Sequence, residues 1–444
     1  MLPLNAAPVT HRSVLIIAVP IMLSNVSEPL IGVVNTAVIG QLPDPYYIGA
    51  IAVGALLFSF IFWGFGFLRL STGGLSAQAV GAGDSAELVA VLLRALVIAV
   101  ISGLVLIALS PAIREIAFDL IGGSPEVRRH GEIYFNYRIW SAPFAFINYC
   151  VMGWYIGQAK AKLTFLVQLF LNVTNMVLSI VFVLGLGMTS DGVGLAALLA
   201  EIAAAILALG LAVGSLLGMS AHIDRLSIFN AAKMRSTLAM NGDVMIRSLL
   251  LVFAFTWFAA RGARAGDVIL AANAVLLDLF NVAAYMIDGF SYAAEALVGQ
   301  SVGARNRMRF RSAVWLTTVW AMVLGAICAV VIWFAGPMLI DLVAVNPEVR
   351  TTARLYLGWA AITPLLGALC FQFDGIFTGA MATKDMRNMM IVSLAIYLGC
   401  WWLLEPAFAN HGLWAALCIF FIARGLTFAS RMPSIERRIF HAVR

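Results

Sequence analysis

The chain has 444 residues, of which 62% are hydrophobic and only 11% charged, with a formal net charge of +6. A soluble protein of this length needs about twice that charged share to cover its surface, so the composition excludes a soluble globular domain and implies a polytopic membrane protein. No basic domain or aromatic platform accompanies the positive balance, which is therefore read as positive-inside topology and contact with anionic lipid rather than nucleic-acid binding.

Apolar runs of at least roughly 18 residues predict membrane-spanning helices. Twelve are found, at 14–39, 47–77, 88–110, 131–155, 163–187, 193–216, 238–259, 269–300, 312–336, 352–379, 388–406 and 412–430. The first begins right after His11-Arg12 and continues past Pro20 without a small-residue cleavage site, so it is read as a span and not a leader. Sixteen Lys and Arg residues, from Arg12 through Lys160, Arg307 and Lys384 to Arg444, fall in loops and ends on one side, and seven fall on the other. The richer side is expected to be cytoplasmic, with both termini inside a cell's inner (plasma) membrane. Five cysteines lie in apolar stretches without CxxC spacing and read as small packing residues. The histidines sit at loops or ends with no HExxH pattern, and no GxxxxGKS/T motif occurs. Neither a metal site, nor a cofactor, nor ATP hydrolysis is expected, and the chain is not read as an enzyme.

The chain also repeats itself. "PEVR" occurs at 125–128 and 347–350, and "QAVGA" at 78–82 returns as "QSVGA" at 300–304. Tyr134 matches Tyr356 and Gly157 matches Gly379, all at a constant offset of 222 residues. Two six-helix lobes are expected, 1–222 and 223–444, entering the bilayer from the same side. They should be related by a pseudo-two-fold axis along the membrane normal.

Polar residues at membrane depth are costly and mark cavities or partners. In the fourth span Arg138, Ser141 and Asn148 share a face, Arg138 reading as a structural counter-ion or a substrate ligand. In the fifth, Gln168, Asn172, Asn175 and Ser179 share a face that either coordinates a cation or joins helices. The eighth carries Asp278, Asn281, Tyr285, Asp288, Tyr292 and Glu295 within an arc of about 100°. That stripe is either a cavity wall handling cations or a lock, in which Asp288 or Glu295 pairs with Arg247 or Arg69; for Glu295 the lock is preferred. Asp374 lies mid-span in the tenth, after an apolar run and with no neighbouring base. A buried, unpartnered carboxylate suits a proton carrier.

Several stretches, "FLRLSTGGLSAQAVGAGD" (67–84), "NGDVMIRSLLL" (241–251), "AYMIDGFSYAAEALVGQSVGA" (284–304) and "FDGIFTGAMATKDM" (373–386), resemble the DinF-type branch of the multidrug and toxic compound extrusion (MATE) transporters. The resemblance covers essentially the whole chain. The other large six-plus-six family, the major facilitator type, carries a basic loop after its second helix, whereas this loop reads "GAGDSAE". The resemblance implies a monomeric secondary transporter that exports small organic, often cationic, compounds by antiport against protons or sodium. It also associates Asp374 with a C-lobe cation site. A lipid or polyprenyl-lipid flippase of the same superfamily is the alternative. A third reading, an intramembrane enzyme or scaffold, finds no nucleophile or metal constellation.

One site departs from the family pattern. Its first-span acid is here Asn35, in "NTAV"; the fifth-span acid is Ser179; and a sixth-span hydroxyl position holds Ala197. Glu28 stands two helical turns before Asn35, on nearly the same face and beside Pro29. It is expected either to take over the acid role or to be an acid at a kink paired with Arg138 or with another helix.

Overall fold

The computed structural model describes residues 8–42, 44, 46–122, 124–217 and 230–441, with the side chains of 28–30 left aside. Thirteen helices account for the described residues: α1 (His11–Ile39), α2 (Tyr46–Gly64), α3 (Phe67–Ala82), α4 (Ser85–Ile121), α5 (Pro125–Arg138), α6 (Ala142–Gly157), α7 (Ala161–Ile180), α8 (Ser190–Leu217), α9 (Ala231–Arg264), α10 (Asp267–Gly303), α11 (Arg307–Val343), α12 (Pro347–Gly379) and α13 (Thr383–His441).

Ten stretches are long and apolar enough to cross a membrane, and the twelve crossings follow when the interrupted α5–α6 is added and α13 is counted twice. α2 and α3 run end to end as one crossing. The fourth crossing is interrupted by a tight turn at Ile139–Ser141, so α5 and α6 are each short. The 59-residue α13 holds two crossings joined at Ala409, whose φ of 47° and ψ of −128° are not helical. The chain is an all-α polytopic membrane protein of twelve helices in two lobes.

The described residues fall into two compact units. A C-terminal unit holds the chain up to Met22, Gly81–Gly83 and everything from Leu238 on; an N-terminal unit holds Leu23–Val80 and Asp84–Thr237. In the C-terminal unit the start of α1 is tied to α11, where Trp320 Nε1 donates to His11 Nδ1 at 3.1 Å.

The 222-residue repeat reappears in the backbone. Left-handed φ values occur at Gly83 and Arg305, at Ala159 and Met381, and at Gly187 and Ala409, each pair 222 residues apart. Helix caps follow the same spacing. Asp84 accepts from Glu87 N at 2.8 Å and Asn306 from Arg309 N at 3.0 Å; Ser124 accepts from Val127 N and Asn346 from Glu348 N, each before a helix-starting proline. Closest helix approaches recur as well. Gly153 and Gly157 of α6 lie under the carbonyls of Arg69 and Gly73 of α3, and Gly375 and Gly379 of α12 under those of Ser291 and Glu295 of α10. Both glycine pairs have the small-xxx-small spacing that lets membrane helices approach backbone to backbone.

Where the N-terminal half has Gly187, the C-terminal half holds Ala409 in a conformation that L side chains avoid. Neighbouring contacts hold it there. Asn273 and Asn410 exchange reciprocal hydrogen bonds of 2.8 and 3.0 Å, and Trp414 Nε1 donates to Asn273 Oδ1 at 2.9 Å. Ala409→Gly is expected to stabilise the protein by about 1 kcal/mol, measured as a raised melting temperature in detergent.

Candidate functional site

Each unit buries polar residues among apolar helices. In the C-terminal unit, α9 supplies Arg247, α12 Asp374 and α13 Arg424, all buried, with Arg424 entirely so. Arg424 Nη2 donates to Asp374 Oδ2 at 2.9 Å, and Arg247 Nη2 binds the same oxygen. The Arg424 guanidinium is sandwiched over the rings of Phe371 and Phe420, 5.7 and 5.5 Å from their centroids. Asp288 of α10 adds a second negative charge within electrostatic reach of Arg424. Two guanidiniums therefore face two carboxylates in a site closed by aromatic rings.

This geometry corrects one expectation. Asp374 is not a carboxylate without a neighbouring base: its bases come from helices 127 residues before it and 50 residues after it. Arg247 pairs with Asp374. Arg424 was missed although "FIARGLTF" shows it as a lone charge in an apolar run, the usual sequence signal for such a group. The stripe on α10 runs from exposed to buried along the helix. Asp278, Asn281 and Tyr285 are exposed, Asp288 is half-buried, and Tyr292 and Glu295 are buried.

In the N-terminal unit the cluster lies on α1 and α7. Gln168 Nε2 donates to Asn172 Oδ1 at 3.0 Å, and Asn172 Nδ2 donates to Ser27 Oγ at 2.7 Å. Eight residues further along α1 comes Asn35, and seven further along α7 comes Ser179. A groove of about 460 Å³, lined by Val34, Ala37 and Val38 of α1 and by Ile180 and Leu184 just beyond, lies beside them. The pairings 27 with 172 and 34–38 with 180–184 rise together, so the two helices run parallel and bring Asn35 level with Ser179. Asn35 Oδ1, Asn175 Oδ1 and Ser179 Oγ are buried without a hydrogen-bond partner among the described residues. Such groups cost free energy unless a ligand, ion or water completes them. The described side chains of the site are neutral, and Ala197 adds no polar atom to it. Glu28 lies on α1, but its side chain is outside the described residues.

Arg138, at the end of α5, makes no ion pair among the described residues. It binds the Tyr134 hydroxyl and lies 5.2 Å from the centroid of Phe58, a structural anchor between α5 and α2. Ser141 caps back onto the Arg138 carbonyl at 2.7 Å. Asn148 reaches Glu201 of α8, an acid absent from the candidates above.

The family model MatE matches the chain twice, over residues 20–181 and 244–400. The DNA damage-inducible protein F of Escherichia coli is 36% identical over 422 residues, covering 93% of this chain and 90% of its own. Among solved structures, a MOP-superfamily transporter from Pyrococcus furiosus superimposes with a TM-score of 0.88 at 17% identity over 96% of each chain. A MATE transporter from Vibrio cholerae does so with a TM-score of 0.87 at 19% identity, over 96% of this chain and 97% of its own. Two matches to one family model, one in each half, together with a relative sharing more than a third of its residues over nearly the full length, make this chain a member of the MATE family of membrane transporters, of the DinF type.

Proposed function

We propose that the protein exports amphiphilic, often cationic, organic compounds by antiport against protons or sodium, as a monomer in the inner membrane with both termini cytoplasmic. The coupling ion is its only inorganic partner. The observation that carries this reading is membership of the MATE family together with buried, unsatisfied oxygens of Asn35, Asn175 and Ser179 in the N-terminal unit, groups that a cation or substrate would complete. Exchange of a cation for substrate at such a group shifts the protein between facing states in proportion to the difference in affinity between them. Asn35, Gln168, Asn172, Asn175 and Ser179 act as neutral ligands for a cation or substrate in the N-terminal unit, with Glu28 as an acid on the same helix. On α10 the exposed Asp278, Asn281 and Tyr285 contribute a polar cavity wall. A lipid flippase would require a net cationic cavity for phosphate groups, whereas Arg247 and Arg424 are balanced here by Asp374 and Asp288.

Fluorescent-dye accumulation, compared in cells with and without the protein under an imposed proton or sodium gradient, tests this. The expected result is lower accumulation that disappears when one of the two gradients is collapsed. Unchanged accumulation under both gradients refutes antiport.

A further inference from the structure

With neutral side chains at Asn35, Asn175 and Ser179, the N-terminal unit offers, besides Glu28, one further acid inside its helix bundle. We propose that Glu201 on α8, held by Asn148 on α6, is the carboxylate that binds the coupling cation in this unit. The inference rests on the antiport reading above and names a residue for it.

Position carries the first part of the argument. Glu201 lies eleven residues into α8, and, Glu28 of α1 aside, every other described carboxylate of the unit sits in a loop or within about two turns of a helix end. α7 and α8 form an antiparallel pair joined at 186–189, so Glu201 reaches the depth of Asn175, ten residues back from Gly185. Glu201 is also one helical turn beyond Ala197, on the same face. At about 100° per residue it lies within about 60° of the buried Ala197, Ala204, Ala208 and Ala212, and at least about 120° from the exposed Leu199, Ile206 and Val213. It therefore points into the helix bundle rather than outward, yet it is only half-buried.

Chemistry carries the second part. Asn148, 1% exposed, donates from Nδ2 to Glu201 Oε2 at 2.7 Å and to the Glu201 carbonyl at 3.2 Å. Its own Oδ1 is buried with no hydrogen-bond partner among the described residues. A carboxylate oxygen and an unused amide oxygen thus come from adjacent side chains, a donor set for a hard cation or a proton. The packed elements bring little competing charge to this depth. Lys162, one residue into the helix, is the one titratable side chain of α7; α6 has Tyr149 and Cys150 next to Asn148 and Tyr155 two turns on. From α5, Tyr134, Tyr137 and Arg138 lie beside Gly194, two turns away, with the Arg138 guanidinium on the Tyr134 hydroxyl and the Phe58 ring. The other charged groups of α5, Glu126, Arg128, Arg129, His130 and Glu132, precede these, and α2 offers only Tyr46 and Tyr47 at its start.

The test is Glu201→Gln, whose amide oxygen still accepts from Asn148 but which cannot titrate. In liposomes, dye transport driven by whichever gradient drives the wild type is expected to fall to the level of protein-free vesicles. Dye binding in detergent should persist but lose its dependence on pH or Na⁺, and Glu201→Asp should recover part of that dependence. A purely structural tie between α6 and α8 predicts that Glu201→Gln behaves as wild type in both assays, and that result overturns the inference alone. A wild-type protein driven by neither gradient overturns the antiport reading and this inference with it. If Glu201→Gln does not accumulate, Asn148→Ala decides. It shifts the pH or Na⁺ midpoint of dye binding if Glu201 holds the cation, and an unshifted midpoint refutes the proposal.

Discussion

Replacing Asp374 by asparagine is expected to cost the folded protein about 3–5 kcal/mol and to abolish transport. The amide can accept a hydrogen bond from one guanidinium, but it brings no charge, and Arg247 and Arg424 are both buried. Breaking a buried pair by removing one partner is expensive because the surviving charge has been taken out of water without compensation. Asp288 remains within reach of Arg424 and offsets part of the penalty. Melting in detergent gives the stability term, and the double variant Asp374→Asn with Arg247→Met should regain part of it. The same double variant separates structure from coupling. If Asp374 serves only to neutralise arginine, restored stability brings restored gradient-driven efflux; if it carries the cation, the stabilised protein remains inactive.

The second large effect is steric. A Cβ placed on Gly375 would sit 2.6 Å from the carbonyl carbon of Ser291 and closer still to its oxygen. Backbone cannot yield as a flexible side chain can, so α12 would have to part from α10 along the crossing that carries Asp374. Gly375→Ala is expected to destabilise by about 3 kcal/mol, the upper part of the usual range for overpacking. Gly153→Ala, the partner position in the repeat, meets the Arg69 backbone in the same way, with a comparable loss expected. Gly399→Ala is the control, since nothing lies within 4 Å of its added methyl, and a helical glycine-to-alanine change there is expected to be neutral or stabilising. Size-exclusion profiles and melting curves of detergent-solubilised protein distinguish these outcomes. Together the two glycine variants ask whether the repeated helix crossing is what holds each charged or polar cluster in register.

The sequence alone determined what depends on local pattern. Twelve crossings follow from apolar run length because no water is available in the bilayer to satisfy an exposed backbone, so each run must be helical. The 222-residue repeat was legible in "PEVR" and "QAVGA", and the turns, caps and glycine contacts recur at the same interval even where the residues differ, as at Gly187 and Ala409, because the two halves follow the same backbone path. The polar face of α7 was legible too, since 3.6-residue periodicity fixes which side chains share a side. Tertiary structure decided the partners. Asp374 looked solitary because its arginines lie far away in the chain, on α9 and α13, and no periodicity reports on a contact between helices so distant in sequence. Glu201 was overlooked for the same reason: on its own helix it is a single acid among alanines, and it becomes a site only when α6 brings Asn148 against it. Helical pattern sets the direction of each side chain, but charge pairing across a membrane bundle is set by which helices lie side by side.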